Sequence, residues 1–478
     1  MSSIPLTRNQ PVGTPSQPDG TGAAPVSGPH AVLGLREAVA IIVGIVIGAG
    51  IFKAPSLVAG MSGSTGWMFA AWVIGGVISL IGALCYAELA TAFPNAGGDY
   101  HFLRRAYGPR LSFLFAWARF SVITTGSIAL LAFVFGDYMS ALLRLGPWSE
   151  ALYAAAAIAV LGWVNLRGMR FGAATQNWLT ALEVLGLLLV VVAGLYLLTQ
   201  GAGAQPAVDA AKAAAEASGS GAPGWSAFGL AMVFVLLTFG GWNEAAYLGA
   251  ELRDVSRNML RALMISIALI TALYMLVNWA YLYGLGLDGM ARSNAVAADL
   301  LSVAFGRTGE SLVAAMVALA ALTSINATMI VGARTNFAVG QDWPALASLG
   351  QWDAGRNAPV NALLAQGLFA LLLVALGTAT RGGFQTMVEF TAPVFWTFFL
   401  LSTIALIVLR RREPQVPRPF EVPLYPLLPL LFAACCAYML WSSLAYVRVG
   451  ALVGVGVLAA GGLLLLVLNG RGAPARAA

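Results

Sequence analysis

Residues 44–52 read Gly-Ile-Val-Ile-Gly-Ala-Gly-Ile-Phe, with Lys53 and Pro55 just beyond, and residues 238–244 read Thr-Phe-Gly-Gly-Trp-Asn-Glu. Each glycine cluster interrupts an apolar stretch that reaches the roughly 20 residues a helix needs to cross a bilayer. Glycine weakens a helix interior. Unpaired backbone survives at mid-membrane depth only where it is buried in protein or lines a cavity. Interruptions at corresponding places in two halves of a chain point to a substrate site between inverted repeats. The alternative is close packing, because Gly44-x-x-x-Gly48 alone is a small-residue contact motif. The second cluster, beside Asn243 and Glu244, favours the site.

The interrupted stretches are the first and sixth of twelve apolar segments. These run over roughly 36–60, 66–92, 111–138, 150–166, 174–199, 226–251, 259–287, 311–338, 360–378, 384–409, 423–442 and 447–469. Residues 1–32, rich in Pro, Gly, Ser and Thr, read as a disordered tail, and their apolar content lies too far from Met1 for a signal peptide. Residues 201–224 read as a polar connection, and 471–478 as a short C-terminal tail. The expectation is an all-α integral membrane protein of twelve transmembrane helices over 33–470.

Composition agrees. Of 478 residues 59% are hydrophobic and 10% charged, with mean hydropathy +0.81, whereas a soluble domain carries about 25% charged residues. The net charge of +6 comes from scattered arginines rather than one basic face, which argues against nucleic acid as a partner. Eighteen Lys and Arg fall on the side of the termini and seven on the other, so both termini are expected in the cytoplasm, with the chain in the cytoplasmic membrane. Cys85, Cys435 and Cys436 lie inside apolar runs and only His30 and His101 are present, so neither a metal centre nor a cofactor is expected. His101 reads as a loop residue without chemistry, and Trp67, Trp148 and Trp225 as an interfacial belt.

A helix break offers two poles. Free N–H groups at Gly48, Ala49 and Gly50, with the positive end of the following half-helix, suit a carboxylate. Free carbonyls at Leu237, Thr238 and Gly240 suit an ammonium. Both poles together fit a zwitterion such as an α-amino acid, while either pole alone would suit an ion.

At these residues the chain resembles the amino acid–polyamine–organocation superfamily, with L-type amino acid transporters and their bacterial relatives as the nearest likeness. The matching strings are Ile47-Gly-Ala-Gly-Ile-Phe52, Cys85-Tyr-Ala-Glu-Leu89 with Pro94-Asn-Ala-Gly-Gly-Asp-Tyr100, Phe239-Gly-Gly-Trp-Asn243 followed by Glu251, and Ser324-Ile-Asn326 with Arg334. The resemblance implies a LeuT-type fold: two inverted five-helix repeats, about 36–199 and 226–409, with helices 1 and 6 broken and two peripheral helices over about 423–469. It implies that the substrate carboxylate meets amides of Ala49 and Gly50, and the ammonium carbonyls of Val46, Leu237 and Gly240, with Asn243 near the inner end of the pocket. Three departures stand out. Ala49 replaces a Ser. Leu237 replaces an aromatic lid, leaving Phe239 as the candidate outer gate. Glu183 replaces a lysine that bridges toward segment 1 in relatives, so the charge there is reversed.

A charge inside the bilayer is costly and is a functional hypothesis by default. Glu183 is read as a proton carrier, with a cation site shared with Ser324, or a structural bond, as alternatives. Glu244 is read either as a sensor of the substrate side chain or coupling group, or as a cap on the following half-helix. Lys53 is assigned an outer-vestibule pairing or a snorkelling role. Arg119 and Glu389 are candidates for a structural pair, Glu88 and Arg334 for parts of the inner gate or of fold-level salt bridges, and Thr391, Phe395 and Trp396 for the side-chain pocket. The expected function is secondary transport of amino acids or related amines by alternating access, as proton-coupled symport. An obligate exchanger and a non-transporting amino-acid sensor are the alternatives; a membrane enzyme is disfavoured because no nucleophile or metal cluster is present. Without an outer-loop cysteine, no disulfide-linked heavy-chain partner is expected.

Overall fold

The computed structural model describes residues 31–48, 50–201, 225–293, 295–380, 383–447 and 450–469. The expected tails, the polar connection after Gly201 and Ala49 lie outside these residues, apart from residues 31–32 of the N-terminal tail. Every regular element described is helical. In order they are α1 (Leu35–Val46), α2 (Gly50–Ser62), α3 (Thr65–Ala92), α4 (Asp99–Tyr107), α5 (Pro109–Ala118), a π-helical stretch (Arg119–Thr124), α6 (Thr125–Leu142), α7 (Ser149–Leu166), α8 (Met169–Thr199) and α9 (Trp225–Thr238). A 3₁₀ helix (Trp242–Leu248) follows, then α10 (Val255–Arg292), α11 (Val296–Phe305), α12 (Arg307–Asp342), a short 3₁₀ turn (Pro344–Leu346), α13 (Val360–Thr380), α14 (Gly383–Arg412), α15 (Leu427–Val447) and α16 (Gly450–Asn469).

Eight helical stretches among the described residues are long and apolar enough to cross a membrane, and three shorter apolar helices accompany them. With the large apolar side chains left exposed along α7, α8, α10 and α15, this makes the chain a multi-pass membrane protein. The first apolar segment is not among the eight because its two halves, of 12 and 13 residues, each rise only about 20 Å at 1.5 Å per residue, short of a core about 30 Å thick.

Burial ranks the helices. In the Ser311–Asp342 span 78% of the most apolar window is buried, against 33% in Ser149–Leu166, so α12 sits at the centre and α7 at the rim. Helix α12 packs on α6, α8, α1 and α11, and α10 packs on α3, α8, α1 and α2.

Three features depart from the sequence expectation. The third segment changes from α to π geometry at Arg119. Helix α11 fills the space between segments 7 and 8. Helix α4 forms where a loop was expected, so His101 is helical rather than a loop residue. With Asp99 in its first turn and Arg104 and Arg105 in its last, α4 has charges that complement its dipole.

Helix α4 is tied into the arginine-rich end of the bundle by an Arg104–Asp342 ion pair and by Arg105–Glu413 at 2.6 Å. Nearby, Glu88 pairs with Arg410 at 2.5 Å and Arg418 at 3.5 Å, and Arg334 with Glu251 at 2.5 Å. Glu88 and Arg334 thus sit in salt bridges joining α3, α12, α14 and the chain after the second break.

Candidate functional site

The two interruptions meet. Helix α1 ends at Val46 and α2 begins at Gly50; α9 ends at Thr238 and resumes as the 3₁₀ helix at Trp242. A side chain added at Gly50 would lie 3.2 Å from Thr238 Oγ1, and one at Gly241 would lie 2.6 Å from Ile45 Cγ2. Gly241 also adopts φ +111°, a conformation that favours glycine. Both its backbone angle and the nearness of α1 therefore require glycine there.

Tyr274, fully buried on α10, joins the breaks chemically. Its hydroxyl lies 3.2 Å from Val46 O and 3.1 Å from Thr238 O. Both are terminal carbonyls of a kind a helix leaves without an internal donor. The phenol therefore holds the negative ends of two half-helices on one oxygen. Sequence reading missed Tyr274, since a tyrosine in an apolar run looks like packing.

The other expected site residues fall as follows. Thr238 Oγ1 donates to Phe234 O at 2.7 Å. Leu237 O accepts from Gly240 N at 3.1 Å, and the Leu237 side chain is 50% exposed. Phe239 is buried, 5.1 Å from the Tyr274 ring and 6.1 Å from Trp72, centroid to centroid. Gly44 proves to be a packing glycine inside α1, with Gln176, Thr180 and Thr323 pressed against it. Ser324 donates to the carbonyls ending α1, Gly44 O at 3.2 Å and Ile47 O at 3.5 Å. Ala49, expected at the carboxylate pole, lies outside the described residues, as do the Lys53, Glu389 and Thr391 side chains.

Glu183 is buried on α8 and neither carboxyl oxygen makes a hydrogen bond. Its polar neighbour is Thr323, whose hydroxyl donates instead to Leu319 O at 2.9 Å. One turn away, Thr180 donates to Ala40 O of α1 at 2.9 Å and accepts from Gln176 at 3.1 Å. Asn326 and Asn165 extend that chain at 2.8 Å per bond. The chain braces α1, α7, α8 and α12.

Glu244 does not cap the 3₁₀ helix: its own N–H donates to Gly241 O at 3.0 Å, and its carboxylate forms a bidentate pair with Arg119, one bond measuring 2.9 Å. Arg119 also donates to Thr335 Oγ1 at 3.0 Å and lies 4.2 Å over the Tyr247 ring, a cation–π contact. Tyr247 and Tyr86 donate to Asp99 at 2.9 and 2.6 Å. Burial holds the Asp99 carboxyl above its usual range, outweighing the downward pull of its hydrogen bonds and of the Arg119 charge. Asn243, 2% exposed, keeps Oδ1 without a partner.

Two cavities flank the second break. One, of about 10 Å³, touches Asp99, Arg119, Asn243, Phe395 and Phe399; the other, of about 20 Å³, touches Gly240, Trp242, Phe395, Trp396 and Phe399. Each has room for about one water.

Residues 33–467 match the family model described as Amino acid permease. The b(0,+)-type amino acid transporter 1 of Homo sapiens is 30% identical over 424 residues, covering 85% of this chain and 81% of that one. The large neutral amino acids transporter small subunit 2 of Rattus norvegicus is 32% identical over 427 residues, covering 86% and 76%.

Proposed function

The chain belongs to the amino acid permease family, and from that premise we propose that it carries amino acids across the cytoplasmic membrane by alternating access, coupled to protons. Two groups of similar proteins act, by name, on amino acids, one of them on large neutral amino acids. The eight long apolar helices, the shorter Val360–Ala375 and Leu427–Trp441, the broken first segment and α16 support a twelve-span arrangement of LeuT type, and the Lys and Arg bias supports cytoplasmic termini. No cofactor enters this reading.

The observation that carries it is the Tyr274 hydroxyl between Val46 O and Thr238 O. A lone phenol O–H divides one proton between two buried carbonyls; an ammonium has three donors and a full charge to offer the same pair. The substrate ammonium takes these carbonyls, assisted by those of Leu237 and Gly240. Its carboxylate takes the amides of Ala49 and Gly50 at the start of α2. Tyr274 holds the ammonium place while the site is empty.

Glu183 is the proton carrier. A buried carboxyl without a hydrogen bond is costly to ionise, and Glu183 lies on α8, which packs on the half-helix ending at Val46. Ser324, on the carbonyls ending α1, couples α12 to the first break.

The test is uptake of a labelled amino-acid panel into proteoliposomes, with and without an inward proton gradient, for the parent and Glu183→Gln. Gradient-driven accumulation that the variant loses while it still exchanges substrate supports symport through Glu183. Uptake that requires internal amino acid and ignores the gradient makes the protein an exchanger. Absence of uptake in either mode overturns transport.

A further inference from the structure

We infer that the Arg119–Glu244 pair reads the charge of the substrate side chain and restricts the site to amino acids whose side chain carries no net charge. The inference rests on the transport reading above and goes beyond it, from amino acids at large to one charge class.

The pair is placed to do this. Glu244 follows the second break by a few residues, and Arg119 reaches it from the π-helical stretch of the third segment. Their side chains are only 12% and 5% exposed. Arg119 lines the cavity that begins at Asn243, beside the break. Once the site widens to admit substrate, a side chain growing from an α-carbon held at the carbonyl pair extends toward one of the two cavities flanking that break. On the Asn243 side it meets apolar walls from Phe395 and Phe399, the free Asn243 Oδ1, and Arg119, whose guanidinium carries Glu244 beside it. Asp99 also borders the cavity, but both its oxygens accept tyrosine hydroxyls.

The ion pair makes charge decisive. A cationic side chain is stabilised there only by taking Glu244 from Arg119, which leaves the guanidinium with Thr335 and the Tyr247 face. An anionic side chain must take Arg119 and strand Glu244. Either exchange leaves a buried charge short of its partner, which is strongly unfavourable. A neutral side chain leaves the pair intact, and one bearing an O–H or N–H gives Asn243 Oδ1 its missing donor. Discrimination thus comes from the competitor's broken pair as much as from the substrate's contacts. A pair that merely fastens the third segment to the 3₁₀ helix would not discriminate by charge.

The experiment compares uptake of leucine, lysine and glutamate into proteoliposomes by the parent, Arg119→Gln, Glu244→Gln, the double variant and Arg119→Lys. Binding of the same three amino acids is measured in parallel by thermal shift of the purified proteins. The parent prefers leucine over both charged amino acids by tenfold or more, a ratio typical of an unpaired buried charge. Arg119→Gln raises the lysine-to-leucine ratio at least about tenfold, and Glu244→Gln raises glutamate-to-leucine by a similar factor. The double variant and Arg119→Lys return to leucine. Ratios that stay within about twofold of the parent's, with all activities falling together, make the pair a brace and overturn the inference. So does a parent that accepts lysine or glutamate as readily as leucine. If neither the parent nor any variant transports while the binding ratios shift as stated, the transport reading fails and the charge reading stands.

Discussion

Replacing Tyr274 by Phe removes one oxygen and changes little else, because the ring remains packed on Trp72 at 5.5 Å and Phe239 at 5.1 Å. What it strands are Val46 O and Thr238 O, both facing the buried hydroxyl. Leaving buried acceptors without a donor costs about 1–3 kcal/mol. The empty variant is therefore expected to melt below the parent. A bound ammonium supplies the missing donors, so saturating substrate recovers most of the deficit, and its stabilisation is larger in the variant. Since substrate no longer displaces a hydrogen bond worth about 0.5–1.5 kcal/mol net, its affinity rises about two- to tenfold. The assay is the melting temperature of the detergent-purified protein across a titration of a neutral amino acid. An empty variant as stable as the parent would show that the carbonyls do not depend on the hydroxyl. A smaller substrate shift in the variant would make Tyr274 a direct ligand of the substrate and refute its role as a placeholder.

Three further outcomes concern stability. Glu251→Gln leaves Arg334, itself 2% exposed, without its counter-charge, and is expected to cost about 3–5 kcal/mol; Glu251→Met with Arg334→Met recovers much of the loss, and a double variant no more stable than the single one defeats this account. Gly241→Ala forces φ +111° on a residue with a side chain and drives it against Ile45, for an expected loss of about 2 kcal/mol or more, read as a lower melting temperature. His101 is held down to about 4 by burial and by Arg105 and Arg104, with Glu413 pulling the other way. The unfolded chain therefore binds a proton below pH 6.5 that the folded chain refuses until about pH 4. Stability falls across that window by up to roughly 3 kcal/mol, and His101→Gln flattens this part of the melting profile; an unchanged slope sinks the assignment.

What could be read from the sequence was what local chemistry dictates. Two glycine clusters in apolar stretches announced the interruptions, and the structure places both where expected, Gly50 against Thr238 and Gly241 against Ile45. Glu88 and Arg334 were legible as salt-bridge residues because a charge near a segment end must find a partner. The partners themselves were not. Glu244 lies 125 residues from Arg119, and no local pattern links a π-helical arginine in one segment to a carboxylate in another. Helix α4 was hidden by the turn-forming Pro94–Gly98 run before it. Its face is amphipathic, with Tyr100, Phe102 and Leu103 buried, but nine residues give too short a period to stand out among longer apolar segments.

The π-helical stretch at Arg119–Thr124 sets a limit on inheritance. Its turn closes one residue later than an α-turn, and Thr125 Oγ1 bonds back five residues to Phe120 O at 2.5 Å. That extra residue confines changes of length to the stretch itself: deleting one residue here would restore α geometry and leave Thr125–Leu142 nearly in phase. The face that α6 packs on α12 and α7 would keep its direction. One residue lost from the α-helical turns on either side would instead rotate everything beyond it by about 100°. Descendants of this sequence are therefore expected to vary in length, if at all, within this stretch and to keep the length of the helices that flank it.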